Sequence, residues 1–134
     1  MTAAGAPAAA AIDPVCGVWQ LEQWVEFRDG DPCVLDAGGR LFYHPDGHMS
    51  AILTRQTDDG AAVFAYAGRW RREDSMVHHD VEHATVPRWV GTTLSREIVE
   101  FRPGADGRLL LRTPPEKSRS GAEYVQDLIW VRAV

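Results

Sequence analysis

The sequence predicts an all-β protein, an eight-stranded antiparallel up-and-down barrel with a central ligand cavity, and three observations carry that prediction. Short segments alternate apolar and polar residues with period two, clusters of Gly, Pro and Asp separate them, and no long run has helical period. Five Trp, three Tyr and four Phe suit a pleated, half-buried surface. At 134 residues, 45% hydrophobic and 25% charged, the chain is one globular domain, long enough for a single core and too short to add helical layers. Eight sequential strands with short connections close most economically into a barrel, which removes exposed edges and holds one small ligand. A sandwich of two sheets is the competing architecture.

The first strand, residues 17–28, is expected to put Trp19, Leu21, Val25 and Phe27 on the core face and Gln20, Glu22, Glu26 and Arg28 on the other, because successive side chains alternate. A Gly/Asp/Pro-rich connection at 29–39 leads to a hairpin of 40–43 with 48–54. Its turn is Pro45-Asp46-Gly47, where Pro presets the first φ and Gly supplies a positive φ near the end. Residues 56–60 are polar and loop-like, and 63–71 pairs with 75–83 across Arg72, Glu73 and Asp74. A Pro/Trp/Gly loop at 87–92 precedes a strand at 94–101, the turn 103–107 feeds 108–112, and 114–121 feeds a last strand at 123–132. The Ala-rich residues 1–15 carry no Lys or Arg, and their apolar run at 8–12 is too short for a signal-peptide core. They are expected to form a disordered leader to a barrel domain at 16–134.

Fourteen basic against nineteen acidic residues give a net charge of −5 with no basic cluster, which counts against nucleic-acid binding. No stretch approaches the roughly 20 apolar residues needed to cross a bilayer. Cys16 and Cys33 are too few for a disulfide scaffold and lack metal-ligand spacing. The expectation is a cytoplasmic monomer or homodimer with no nucleic-acid or membrane partner, no metal and no cofactor. There is no Gly-Xaa-Ser-Xaa-Gly elbow, phosphate-binding Gly loop or dinucleotide fingerprint. Nucleophilic hydrolysis, phosphoryl transfer and nicotinamide chemistry therefore lose support.

Gly17-Val18-Trp19-Gln20-Leu21 is similar to the Gly-Xaa-Trp opening of lipocalins and their relatives, where the Trp packs across one barrel end. Four further segments follow in order: Tyr43-His44-Pro45-Asp46-Gly47-His48-Met49-Ser50; Ala65-Tyr66-Ala67-Gly68; His79-Asp80-Val81-Glu82 followed by Pro87-Arg88-Trp89-Val90-Gly91-Thr92; and Leu109-Xaa-Leu111-Xaa-Thr113-Pro114-Pro115. Together they resemble the bacterial lipocalin-like domain family, a group of small calycin-type barrels, from Gly17 to Arg132. The resemblance implies a cavity-bearing barrel, and related barrels include both inert carriers and cofactor-free cyclases or isomerases. Residues 56–62 look shorter than the helix-containing connection common in the family, so one barrel end is expected to be less covered. The Thr-Asp-Tyr element of the secreted lipocalins is missing, which counts against extracellular transport.

The densest ionisable run is His78-His79-Asp80-Val81-Glu82-His83. Alternation puts Val77, His79, Val81 and His83 on one face, and the two valines mark it as the inner one. As a metal site the run is poor, because residues four apart on a strand are separated by about 13 Å at 3.3 Å per residue. His79 is a candidate general acid/base or ligand-orienting group, since an imidazole titrates near neutrality and burial moves that value; a hydrogen-bonded core histidine is the alternative. Glu82 falls on the outer face unless a bulge re-aims it, and if it turns inward Arg96 is its expected partner. Trp89, Tyr66 and Trp70 are candidate flat walls for a ring or polyene, with Trp89 as a plug of the barrel end the competing role. Phe27, Met49, Leu53, Tyr124 and Leu128 complete the expected ligand-binding set, and Arg132 is expected to stack near Trp19 in a cation–π contact. His79, Glu82, Tyr66 and Arg96 are the candidate catalytic groups. They point to a cofactor-independent cyclase or isomerase of specialised metabolism that acts on a small, largely apolar molecule; the alternative is a non-catalytic carrier of such a molecule.

Overall fold

A half-buried strand needs partners for its amides and carbonyls on both sides, and in this chain the pairing runs full circle. The computed structural model describes residues 11–133. Its strands are β1 (Gly17–Arg28), β2 (Asp31–Leu35), β3 (Ala37–Tyr43), β4 (His48–Thr57), β5 (Gly60–Glu73), β6 (Met76–Ala84), β7 (Thr93–Arg102), β8 (Arg108–Arg112), β9 (Glu116–Lys117) and β10 (Glu123–Arg132). Eight of them, β1, β3 to β8 and β10, pair antiparallel in ring order, and β1 closes on β10 through nine residue pairs from Trp19↔Arg132 to Arg28↔Tyr124. This is the expected closed barrel, and the sandwich is ruled out because no strand of the ring is left with an open edge.

Three local details differ from the sequence expectation. The connection at 29–39 contains β2, which pairs with the far half of β1, and the one at 114–121 contains the two-residue β9 against β10. Residues 56–60 are not a loop. β4 runs to Thr57 and β5 starts at Gly60, so the turn is only Asp58 and Asp59, with Gly60 at φ +108° and the Thr57 hydroxyl donating to its carbonyl at 2.7 Å.

Bulges decide which residues face inward. The register of β1 against β10 shifts between Leu21 and Gln23, and one extra residue reverses the alternation beyond it. Trp24 and Glu26 therefore face the interior, and Phe27, expected there, does not. A second bulge lies where β5 and β6 pair, since Ala67 opposes His83 but Gly68 opposes Val81. A Cβ on Gly68 would collide with the Asp80 carbonyl oxygen, so the close approach requires glycine. The bulge keeps Val77, His79 and Val81 inside, at 0%, 2% and 4% exposure. It also turns His83 out to solvent, against the expected alternation, while Ala84 packs on the core.

One end of the barrel is closed by side chains. Trp19 is fully buried, its indole N–H donates to the Val15 carbonyl at 2.9 Å, and the Arg132 guanidinium lies 3.9 Å from its ring centre, the expected stack. Arg132 also donates to the carbonyls of Cys16 and Pro14. Val15 is buried, and Asp13 pairs with Arg72 at 2.9 Å, so these residues pack on the barrel. The first ten positions of the expected leader lie outside the described residues. Among the described residues no helix is long and apolar enough to cross a membrane.

Candidate functional site

The β4–β5, β6–β7 and β8–β10 connections lie at the end opposite Trp19, and a cavity of about 270 Å³ runs from there into the barrel. Its depth is lined by Leu41, Ala51, His79, Leu111 and Trp130. Arg88, Trp89 and Glu116 line it from the connections, so the cavity is walled by the strands and roofed by the β6–β7 segment. That segment contains a single 3₁₀ turn, Pro87–Trp89, tied to β6 where the Gly91 and Val81 amides donate to the Val81 and Thr92 carbonyls. Trp89 folds over the barrel interior, with its ring 5.8 Å from Tyr66 in an edge-to-face contact and 6.4 Å from Phe64. It is therefore both a partial plug and a wall.

Of the expected residues, the structure brings His79, Tyr66, Arg96, Trp89, Leu53 and Leu128 to this one cavity. Five do not join them. Glu82 sits at the second bulge but stays solvent-exposed, and it makes no ion pair with Arg96. Trp70 lies on the inner face of β5 but toward the closed end, its ring 5.0 Å from Tyr43 and its N–H donating to the His44 carbonyl. Met49 is buried in the core near that end. Phe27 is turned outward by the first bulge, and Tyr124 lies beyond the rim under the Arg28 guanidinium, 5.5 Å from ring centre.

At the centre of the site the His79 ring bridges two tyrosines. Its Nε2 is 2.6 Å from the Tyr43 hydroxyl and its Nδ1 is 2.7 Å from the Tyr66 hydroxyl. Burial, with the positive charge of Arg96 behind it, lowers the His79 pKa to about 3, so the ring is neutral and has one donor and one acceptor. Satisfaction of the tyrosines chooses the tautomer. Tyr43 is 1% exposed and among the described residues has no other partner for its O–H, and a stranded buried donor costs about 1–3 kcal/mol. Tyr43 therefore donates to Nε2, Nδ1–H donates to the Tyr66 oxygen, and the O–H of Tyr66 is left over on the residue that lines the cavity. Burial raises both phenols, Tyr43 well above its ordinary value, so both remain protonated hydrogen-bond donors at neutral pH.

Sequence reasoning missed Tyr43, Trp24, Trp130, Gln126 and Arg88. Tyr43 was legible in principle, since Leu41 and Tyr43 alternate with exposed Arg40 and His44. Trp24 was hidden by the bulge before it; its indole N–H donates to the Gln126 side-chain oxygen at 2.6 Å. Trp130 is 2% exposed, and its Nε1 has no hydrogen-bond partner among the described residues. Among the described residues no three His, Cys, Asp or Glu side chains converge to hold a metal.

The closed eight-stranded ring, the plugged end and the interior cavity define a calycin-type barrel, an architecture that takes a small molecule inside. Residues 56–133, more than half of the chain, match the model of the lipocalin-like domain family, and the chain belongs to that family. Comparison with curated proteins found no match.

Proposed function

We propose that the barrel binds one small, largely apolar molecule and acts on it as a cofactor-independent cyclase or isomerase, polarising a carbonyl or enol oxygen through the Tyr66 hydroxyl. The observation that carries this reading is the Tyr43–His79–Tyr66 bridge, which leaves a single oriented O–H on the cavity wall. The bridge holds the Tyr66 oxygen from behind, so the donor is in place before substrate arrives, and preorganised donors aimed at developing negative charge lower a barrier without reorganisation. Trp24, Phe64 and Trp89 supply flat apolar walls. Such walls favour a folded, near-attack conformer of a flexible chain. Neither His79 nor the tyrosines titrate near neutrality, so Tyr66 acts as a hydrogen-bond donor to the reacting oxygen and full proton transfer to solvent is not required.

That same neutrality favours the second reading, a carrier that orients its ligand through Tyr66 and leaves it unchanged. Native mass spectrometry of the protein incubated with host metabolite extracts, followed by analysis of the released molecule, separates the two. The enzyme reading expects a bound mass whose released form is an isomer of the molecule taken up, with turnover about 100-fold slower in Tyr66→Phe. Release of the ligand unaltered assigns a carrier, and no retained mass from any extract refutes both.

A further inference from the structure

Polarisation by Tyr66 leaves one charged group on the cavity wall unused. Arg96 lies on the inner face of β7 between Leu94 and Ile98, opposite the buried Val77 of β6. One guanidinium nitrogen donates to the adjacent Ser95 carbonyl at 2.9 Å, and among the described residues Arg96 has no carboxylate partner. Arg55, Arg72, Arg108 and Arg112 each have one within 4 Å.

The acceptors nearby are occupied or sit at the rim. The Gln126 side-chain oxygen accepts from Trp24, the Thr113 hydroxyl oxygen accepts from the Gln126 amide, Glu26 lies 3.9 Å from Arg55, and Glu116 is exposed. Three arginines line the cavity against two glutamates. Its interior therefore offers a guanidinium and a phenol O–H among apolar walls, while the two glutamates that line it lie beside Arg55 or face solvent and leave Arg96 without a carboxylate. A charge drawn partly out of water is costly when unpaired, and a charge-assisted bond from a guanidinium to an oxyanion is among the strongest pairings open to it.

We propose that the molecule taken into the barrel is an amphiphilic monoanion, a carboxylate on an apolar chain or ring system, with its carboxylate held by the Arg96 guanidinium. This rests on the small-molecule reading above and names the chemical class. The carboxylate anchors one end while Tyr66 meets a second oxygen on the apolar portion.

Two environment-sensitive fluorophores test the assignment, 8-anilinonaphthalene-1-sulfonate and its uncharged parent N-phenyl-1-naphthylamine, with decanoate as competitor. The anionic probe is expected to bind at least tenfold more tightly than the neutral one and to be displaced by decanoate. Arg96→Met is expected to bring it down to the neutral probe's affinity, Arg96→Lys to retain part of the preference, and Arg40→Met, exposed on the outer face of β3 and away from the cavity, to leave the preference in place. Arg96→Gln replaces the Met variant if that fails to fold. Equal affinities in the parent protein, or a preference that survives loss of the Arg96 charge, overturn the anion assignment and leave the small-molecule reading standing. Failure of both probes to bind overturns both together.

Discussion

A histidine held neutral by burial makes the protein sensitive to acid in a calculable way. His79 titrates near 3 in the folded barrel against 6.5 when exposed in the unfolded chain. The folded pKa is depressed, so between these values the unfolded state binds the extra proton and stability rises with pH. The contribution is complete above about pH 7 and is lost as pH falls through 6.5 toward 3. From the two pKa values the loss is about 2 kcal/mol by pH 5 and about 4 kcal/mol by pH 3. The perturbation is His79→Gln, which cannot titrate yet keeps one donor and one acceptor for the two tyrosines. The assay is urea unfolding followed by circular dichroism at pH 7.5, 6.0 and 5.0 for both proteins. Every other ionisable group is common to the two proteins, so the difference between the curves isolates His79. The parent protein is expected to lose about 2 kcal/mol more than the variant between pH 7.5 and 5.0, a midpoint shift of about 1 M urea. A difference constant within about 0.5 kcal/mol over that range would show that the imidazole is charged or solvated in the folded state, and the tautomer and the free Tyr66 hydroxyl would fall with it.

Tyr43→Phe removes the donor to Nε2 and leaves one ring nitrogen of His79 unpaired, at an expected cost of about 1–3 kcal/mol; imidazole nitrogen shifts in a ¹⁵N-histidine NMR spectrum should report Nδ1 protonated in the parent protein and a changed tautomer balance in the variant. Gly68→Ala forces a Cβ into the Asp80 carbonyl, and chemical denaturation should show a loss of about 1–3 kcal/mol or failure to fold; an unchanged midpoint would contradict the bulge geometry. Arg132→Met gives up the Trp19 stack and two bonds to the Cys16 and Pro14 carbonyls, and a drop of about 2 kcal/mol in the same measurement is expected. Trp89→Ala takes away a cavity wall while removing only a half-buried side chain, so N-phenyl-1-naphthylamine affinity should fall about tenfold with a stability change of about 1 kcal/mol.

The arrangement of strands was legible in the chain because alternation and turn chemistry are local. The Pro45-Asp46-Gly47 turn, the pairing of 63–71 with 75–83 and the inward face of Val77, His79 and Val81 all depend on residues close in sequence. So did the placement of Leu53, Tyr66, Leu128 and Trp89 around one cavity, once the ring was taken to close. What misled the reading were the single-residue bulges. Glu22 and Glu82 carry no side-chain signal that they are skipped in the ladder, since a bulge is set by the twist needed to close eight strands and by the approach of β6 to Gly68. Each one inverts the faces beyond it, which put Trp24 inside and sent Phe27 and His83 out.

By itself the sequence determined an all-β barrel with an aromatic, partly polar interior, because those properties follow from composition and from periodicity along the chain, while the end closed by Trp19 was implied by the resemblance of its Gly-Xaa-Trp opening to lipocalins. Only the tertiary structure decided that Tyr43 of β3, Tyr66 of β5 and His79 of β6 share two short hydrogen bonds, and that among the described residues Arg96 has no carboxylate partner and the Trp130 N–H no acceptor. Those are relations between strands as many as 36 residues apart in the chain, and the register and curvature of the closed sheet set them; no local pattern encodes which inward side chains meet at its axis.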